Sequence, residues 1–156
     1  MESIKVKKGT ILQRSGEFNT KVYFVKRGLL RSYIIDEKGK EHIFMFAPED
    51  WIVADSTPND KPCELYIDVL EDSIITVKEK DLSQGNADAI ALIKRVGVLQ
   101  KRILMLMSSS AITRYEHFVE TYPQIIQRVP QKMIASYLGI TPEALSKVKG
   151  DKARGL

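Results

Sequence analysis

The stretch QKMIASYLGITPEALSKVKG, Gln131 to Gly150, decides how the rest of the chain is read. Ile134, Ala135 and Leu138 share one helical face, Gly139 interrupts it, Ile140 follows the turn, and Leu145 with Val148 resumes the period. Two short helices are implied. A crossing of about 90–120° leaves little room at the contact, which suits a small residue, Ala135, four places before the glycine. Gly139 can take positive φ without steric cost and end the first helix. Thr141 can cap the second, Pro142 suits its first position, where a missing N–H removes no bond, and Glu143 complements the helix dipole. The segment reads as a helix-turn-helix whose second helix turns Glu143, Ser146, Lys147 and Gly150 outward, a spacing that can present side chains to the major groove.

Charge points to the same end of the chain. The 156 residues carry a formal net charge of +4. Residues 1–127 hold 18 basic and 18 acidic side chains, whereas Arg128, Lys132, Lys147, Lys149, Lys152 and Arg154 face only Glu143 and Asp151 in the remainder. A polyanion would be drawn to that segment and be largely indifferent to the rest.

Composition is that of a globular chain, 44% apolar and 28% charged. The longest apolar runs, such as Ile103 to Met107, are far too short to cross a bilayer, and Met1 to Gly9 lacks a signal-like core, so no membrane partner and a cytoplasmic location are expected. The single cysteine, Cys63, excludes an internal disulfide, a thiolate zinc site and a four-cysteine iron–sulfur cluster.

From Ile4 to Val77 the residues read as strands. Apolar or β-branched runs fall at Thr10 to Leu12, Val22 to Val25, Leu29 to Ile35, His42 to Phe46, Trp51 to Val53, Leu65 to Val69 and Ser73 to Val77. Turn residues separate them, Asp36 to Gly39 as a hairpin and Asp55 to Pro62 as the longest break, the expected lip of a pocket. This is the pattern of an antiparallel sandwich or barrel. After about Ser83 the period changes. Leu92, Val96, Leu99, Ile103 and Leu106 recur at alternating four and three, an a/d seam that predicts a long helix pairing with its copy in a second chain, with Lys94, Arg95, Lys101 and Arg102 off the seam. A further helix is expected from about Ile112 to Thr121, before Pro123. The expected divisions are a barrel over 1–84, a long connecting and dimerisation helix over 85–116, and a helix-turn-helix region over 117–156.

Barrel, long helix and terminal helix-turn-helix follow the order of parts in the bacterial transcription factors of the catabolite activator and fumarate–nitrate regulator (Crp/Fnr) family. The chain resembles that family through YFVKRGLLRSYIIDEKGKE (Tyr23 to Glu41), PEDW (Pro48 to Trp51), YIDVLEDSIITV (Tyr66 to Val77) and RVPQKMIASYLGITPEALSKV (Arg128 to Val148). The resemblance implies an α+β chain with an N-terminal antiparallel β jelly roll of the cyclic nucleotide-binding type, a homodimer through the long helix, and double-stranded DNA as partner. RNA polymerase is a further partner it allows. It places DNA contacts at Gln131, Lys132, Thr141, Glu143, Ser146, Lys147 and Lys149, and an effector pocket at Arg31, Asp55, Glu64 and Tyr66.

Three departures qualify the resemblance. The family's ligand cassette has a Gly-Glu pair and, about ten residues on, an arginine followed by Ser/Thr-Ala for the cyclic phosphate. Here the region reads Val53-Ala54-Asp55 and Glu64-Leu65-Tyr66, and a glutamate repels a phosphate. Cyclic AMP is not expected, no cofactor is expected, and the small-molecule effector is left open. The family's recognition helix opens with Arg-Glu and places another arginine four residues after that glutamate, where this chain has Pro142, Glu143 and Lys147; lysine lacks the planar fork that reads guanine bidentately. The chain also stops a few residues after this helix, so the family's β-wing is expected to be absent.

An enzyme reading finds little support. His42 and His117 stand in different elements, no His-X-His with a following glutamate exists to ligate a metal, and Ser108 to Ser110 has neither a base nor a Gly-X-Ser-X-Gly turn. The expected function is a dimeric, sequence-specific DNA-binding transcription regulator. The alternative is a ligand-binding or protein-interaction module of the same fold that no longer binds DNA, with a cupin-type enzyme behind both.

Overall fold

The computed structural model describes residues 3–80, 89–108 and 110–155, with backbone alone at 89–92, 94, 95 and 108. It divides into two compact units, Met1–Ser83 and Gln84–Leu156.

The described residues of the first unit form eight strands, β1 (Ser3–Val6), β2 (Ile11–Gln13), β3 (Lys21–Arg27), β4 (Leu30–Ile35), β5 (Glu41–Ala47), β6 (Ile52–Ala54), β7 (Tyr66–Val69) and β8 (Ser73–Glu79). They form two antiparallel four-stranded sheets, ordered β1-β8-β3-β6 and β2-β7-β4-β5. Consecutive strands therefore mostly lie in different sheets, and only β4 and β5 form a paired hairpin. Its turn is the one expected: Gly39 takes φ 77°, and Asp36 accepts from the amides of Lys38 and Lys40, each at 2.9 Å. The core lies between the sheets. Leu30, Met45, Ala47, Ile67 and Val69 come from one sheet, and Tyr23, Val25, Val53 and Ile75 from the other, all at alternate strand positions.

The crossing from β3 to β4 needs a glycine. Gly28 has φ 102°, and a Cβ there would lie 2.1 Å from Ser73 Oγ, which itself accepts from the Leu29 amide at 3.2 Å. No L side chain fits both the angle and the space. The Gly28 amide donates to Glu49 Oε1 at 2.9 Å, which ties this corner to the turn before β6.

β1 is the strand the sequence did not single out. Its residues are mostly exposed, so no buried alternation marks it, and it exists because it pairs with β8 from Ser3↔Thr76 to Val6↔Ser73.

The second unit holds α1 (Ala89–Ser108), α2 (Ala111–Thr121), α3 (Gln131–Leu138) and α4 (Pro142–Ala153). The segment expected as one helix over 85–116 is thus two helices. Ser110 is the reason: its extended backbone leaves the helix and its Oγ accepts from the Thr113 amide at 3.3 Å, capping α2 afresh. The expected boundary at 84 lies outside the described residues. Among the described residues no helix is long and apolar enough to cross a membrane.

Candidate nucleic-acid interface

The turn between α3 and α4 forms as its residues dictate. Gly139 adopts φ 64° and ψ 33°, and the amide of Ile140 returns to Ala135 O at 3.1 Å, which satisfies a carbonyl left open at the end of α3. Thr141 Oγ1 accepts from the Ala144 amide at 3.2 Å, Pro142 opens α4, and Glu143 lies in its first turn. Inside the motif Ile134, Ala135, Leu138, Leu145 and Val148 are all buried.

Tyr137 is buried too, and sequence reasoning missed it. Its ring meets Phe118 and Tyr122 of α2 and its end edge-on at 5.4 and 5.5 Å, and the Arg102 guanidinium of α1 lies 4.0 Å from its centroid. The available signal was local: Tyr137 stands three residues after Ile134 on the same face, and Phe118 stands four before Tyr122. Burial pushes the Arg102 pKa down, and the neighbouring tyrosines act against that.

The opposite face of α4 is open. Glu143, Ser146 and Lys147 are exposed and make no ion pair among the described residues. Gln131 and Lys132 are exposed in the first turn of α3. Thr141 is exposed, with its oxygen committed to the cap. Lys149 is only half-buried, because it follows the inward Val148, so its place is at the edge of this surface. Lys152 pairs with Glu116 at 3.4 Å and Arg154 with Asp151 at 2.9 Å. Such exposed pairs are weak and yield readily to a polyanion.

The seam of α1 divides. Val96 and Ile103 are 55% and 57% exposed, while Leu99 and Leu106 are half-buried. Leu92 lies on α1 by its backbone, with its side chain outside the described residues. Ile93, Leu104 and Met107 extend the apolar exposure along the helix.

In the first unit, the four expected pocket residues form two separate groups. Leu30 belongs to the core, so alternation turns Arg31 to the outer face of its sheet, away from the core. There it sits across from Asp68 and beside Tyr33, which stacks on Tyr66 at 5.3 Å. The guanidinium is 6% exposed and lies 4.1 Å from the Tyr33 centroid. It donates from Nε and Nη2 to the two oxygens of Asp68 at 2.8 and 2.9 Å, and from Nη1 to Glu41 at 2.6 Å. Burial opposes its charge, but the hydrogen bonds and charges of Asp68 and Glu41 prevail and raise its pKa. Neither carboxylate was singled out by sequence, since each becomes a partner only through strand register.

Asp55 and Glu64 make the other group. The Asp55 carboxylate, 3% exposed, accepts from the amides of Thr57, Glu64 and Leu65 at 2.7, 3.2 and 2.9 Å, while the Glu64 side chain faces solvent. Lys80, also unforeseen, is buried beside them and donates to Thr20 Oγ1 at 2.6 Å, Asp55 O at 2.9 Å and Thr57 O. The loop after β6 is therefore held from within by one carboxylate and from below by one ammonium.

Burial acts to raise the Asp55 pKa, but the bonds from Thr57, Leu65 and Glu64 outweigh it and hold the carboxyl below its ordinary value. A depressed pKa adds stability that is complete above the unfolded value of about 3.9 and disappears as pH falls through the folded value. Asp55→Ala, which orphans three amides, should lower stability by about 3 kcal/mol at neutral pH and flatten its decline below about pH 4. Urea unfolding between neutral and acid pH measures both, and an unchanged midpoint would contradict this account of the loop.

No family model matches the chain. Its sequence is 24% identical over 168 aligned positions to the regulatory protein HlyX of Actinobacillus pleuropneumoniae, covering 93% of this chain and 69% of that protein. It is 25% identical over 169 positions to the anaerobic regulatory protein of Aggregatibacter actinomycetemcomitans, covering 93% of this chain and 64% of that one. The chain thus spans about two thirds of the length of these relatives. Among solved structures, a CRP/FNR-family transcriptional regulator from Thermus thermophilus superposes with a TM-score of 0.81 over 99% of this chain and 87% of that one, at 16% identity. By sequence and by fold the chain is similar to the transcriptional regulators of the CRP/FNR family.

Proposed function

We propose that the chain is a dimeric, sequence-specific DNA-binding transcription regulator, with α4 as the helix that enters the major groove. One observation carries the reading: the capped turn at Gly139 and Thr141 fixes α4 with Leu145 and Val148 inward and Glu143, Ser146 and Lys147 on one exposed face. This is the arrangement a recognition helix requires. The partner is double-stranded DNA, the location cytoplasmic, and contact with RNA polymerase the expected route to promoters.

The barrel belongs to this reading as a jelly roll of the cyclic nucleotide-binding type, supported by strand orders β1-β8-β3-β6 and β2-β7-β4-β5. Its effector is not cyclic AMP, since Arg31 is committed to Asp68 and Glu41 and directed away from the core.

Two substitutions test the DNA reading by contrast. Glu143, at the open end of α4, reaches a base edge, with cytosine N4 as its natural donor. Glu143→Ala should cost about 1–3 kcal/mol of discrimination at one base pair per half-site and leave non-specific binding intact. Lys132, a flexible exposed cation, meets phosphate, so Lys132→Ala should weaken binding to every sequence and reduce the salt slope by about 0.9 per subunit. Salt titrations on matched and mismatched duplexes separate the two. Equal losses on every sequence would mean that α4 reads no bases.

A further inference from the structure

Arg114 stands on α2, yet its guanidinium joins the ends of two other helices. Nη2 donates to Leu106 O, in the last turn of α1, at 2.8 Å, and Nη1 donates to Leu138 O, the last residue of α3, at 3.0 Å. Both carbonyls belong to the group that a helix C-terminus leaves without an intrahelical partner, and both lie at the negative end of a helix dipole. A planar guanidinium serves two such acceptors in one fixed geometry, which a lysine ammonium does not. Arg114 Nη1 and Leu106 Cδ2 close round Gly139, where a Cβ would meet both at an ordinary contact distance of 3.5 Å, so it is the φ of 64° that calls for glycine there. Arg102 supplies a second tie one residue earlier in α3, donating to Tyr137 O at 3.3 Å.

We propose that Arg114 is a positioning residue that fixes the direction of the helix-turn-helix relative to α1, and through it the half-site spacing the protein accepts. The claim on spacing rests on the DNA reading above. Where two chains pair through α1, the separation of their two α4 helices depends on how each is held to its own α1; Arg114 bonds the C-terminal ends of α1 and α3 together, beside the direct bond from Arg102 of α1 to Tyr137 O. A looser tie lets each helix still read its half-site but no longer imposes one distance between them.

The test measures affinity of the full chain for duplexes bearing one half-site, and for pairs of half-sites at spacings stepped by single base pairs. The unmodified protein should favour one spacing by about tenfold or more, because simultaneous engagement is lost when geometry forbids it. In Arg114→Gln that preference should fall to about twofold or less, with single half-site affinity unchanged. Retained spacing preference, or equal loss on single and paired sites, would overturn the proposal. Arg114→Lys, which keeps the charge but not the fork, guards against a Gln variant that does not fold and should flatten the preference in the same direction. A DNA-independent arm separates this proposal from the function it rests on. Spin labels at Gln100→Cys and Lys147→Cys, in labelled chains diluted with unlabelled ones, should give a narrow distance distribution that Arg114→Lys broadens. Should the unmodified protein prefer no duplex, the DNA reading falls, and an unbroadened distribution would overturn the tie as well.

Discussion

Arg31→Leu is expected to destabilise the barrel by about 3–5 kcal/mol, because it removes one partner of a buried pair and strands the other. The arginine side chain is 7% exposed and that of Asp68 14%, and the two are joined by a bidentate pair of bonds. Without the guanidinium the Asp68 carboxylate loses both of its charge-assisted bonds in a site where it is only 14% exposed. Glu41 provides the control. Its side chain is 45% exposed, so water replaces the lost contact, and Glu41→Gln should cost no more than about 1 kcal/mol. Arg31→Leu combined with Asp68→Leu should recover part of the loss, since two apolar groups need no counter-charge. Urea midpoints of the four proteins form the test. An Arg31→Leu variant as stable as the unmodified protein would show that the cluster holds nothing together.

Ile103→Asp should convert a dimer into a monomer and lower affinity for a two-half-site duplex by about 100-fold or more. Val96 and Ile103, seven residues apart, are both more than half exposed, with Ile93 and Met107 extending the strip at 70% and 78% exposure. An apolar strip of this kind on a helix is the face a second copy would cover. An aspartate at its middle would have to leave water to be covered. Sedimentation of both proteins and binding to one-site and two-site duplexes give the two readouts. An unmodified chain that stays monomeric at about tens of micromolar would contradict the dimer.

How far the sequence was readable follows from how local each cause is. The turn of the helix-turn-helix was legible in full, because Gly139, Thr141 and Pro142 act on amides within a few residues of themselves. Seven of the eight strands were legible from apolar runs between turns, whereas β1 carries no such run and owes its form to β8. The orientation of Arg31 was not legible. Leu30, Arg31, Ser32 and Tyr33 are all buried, since both faces of this strand are covered, and alternation disappears when neither face meets water. Asp68, Glu41 and Lys80 were missed for a related reason: their partners lie 10 to 60 residues away and are reached only through register. The same holds for Arg102 and Arg114, whose acceptors are backbone carbonyls that no side-chain pattern reveals.

Selection of bound duplexes from random DNA with the full chain tests the central claim most directly. Enrichment of an inverted repeat, its half-sites about 10 base pairs apart centre to centre, is the predicted result. A pool that remains random at low salt, where electrostatic attraction is strongest, would contradict sequence-specific recognition by this protein.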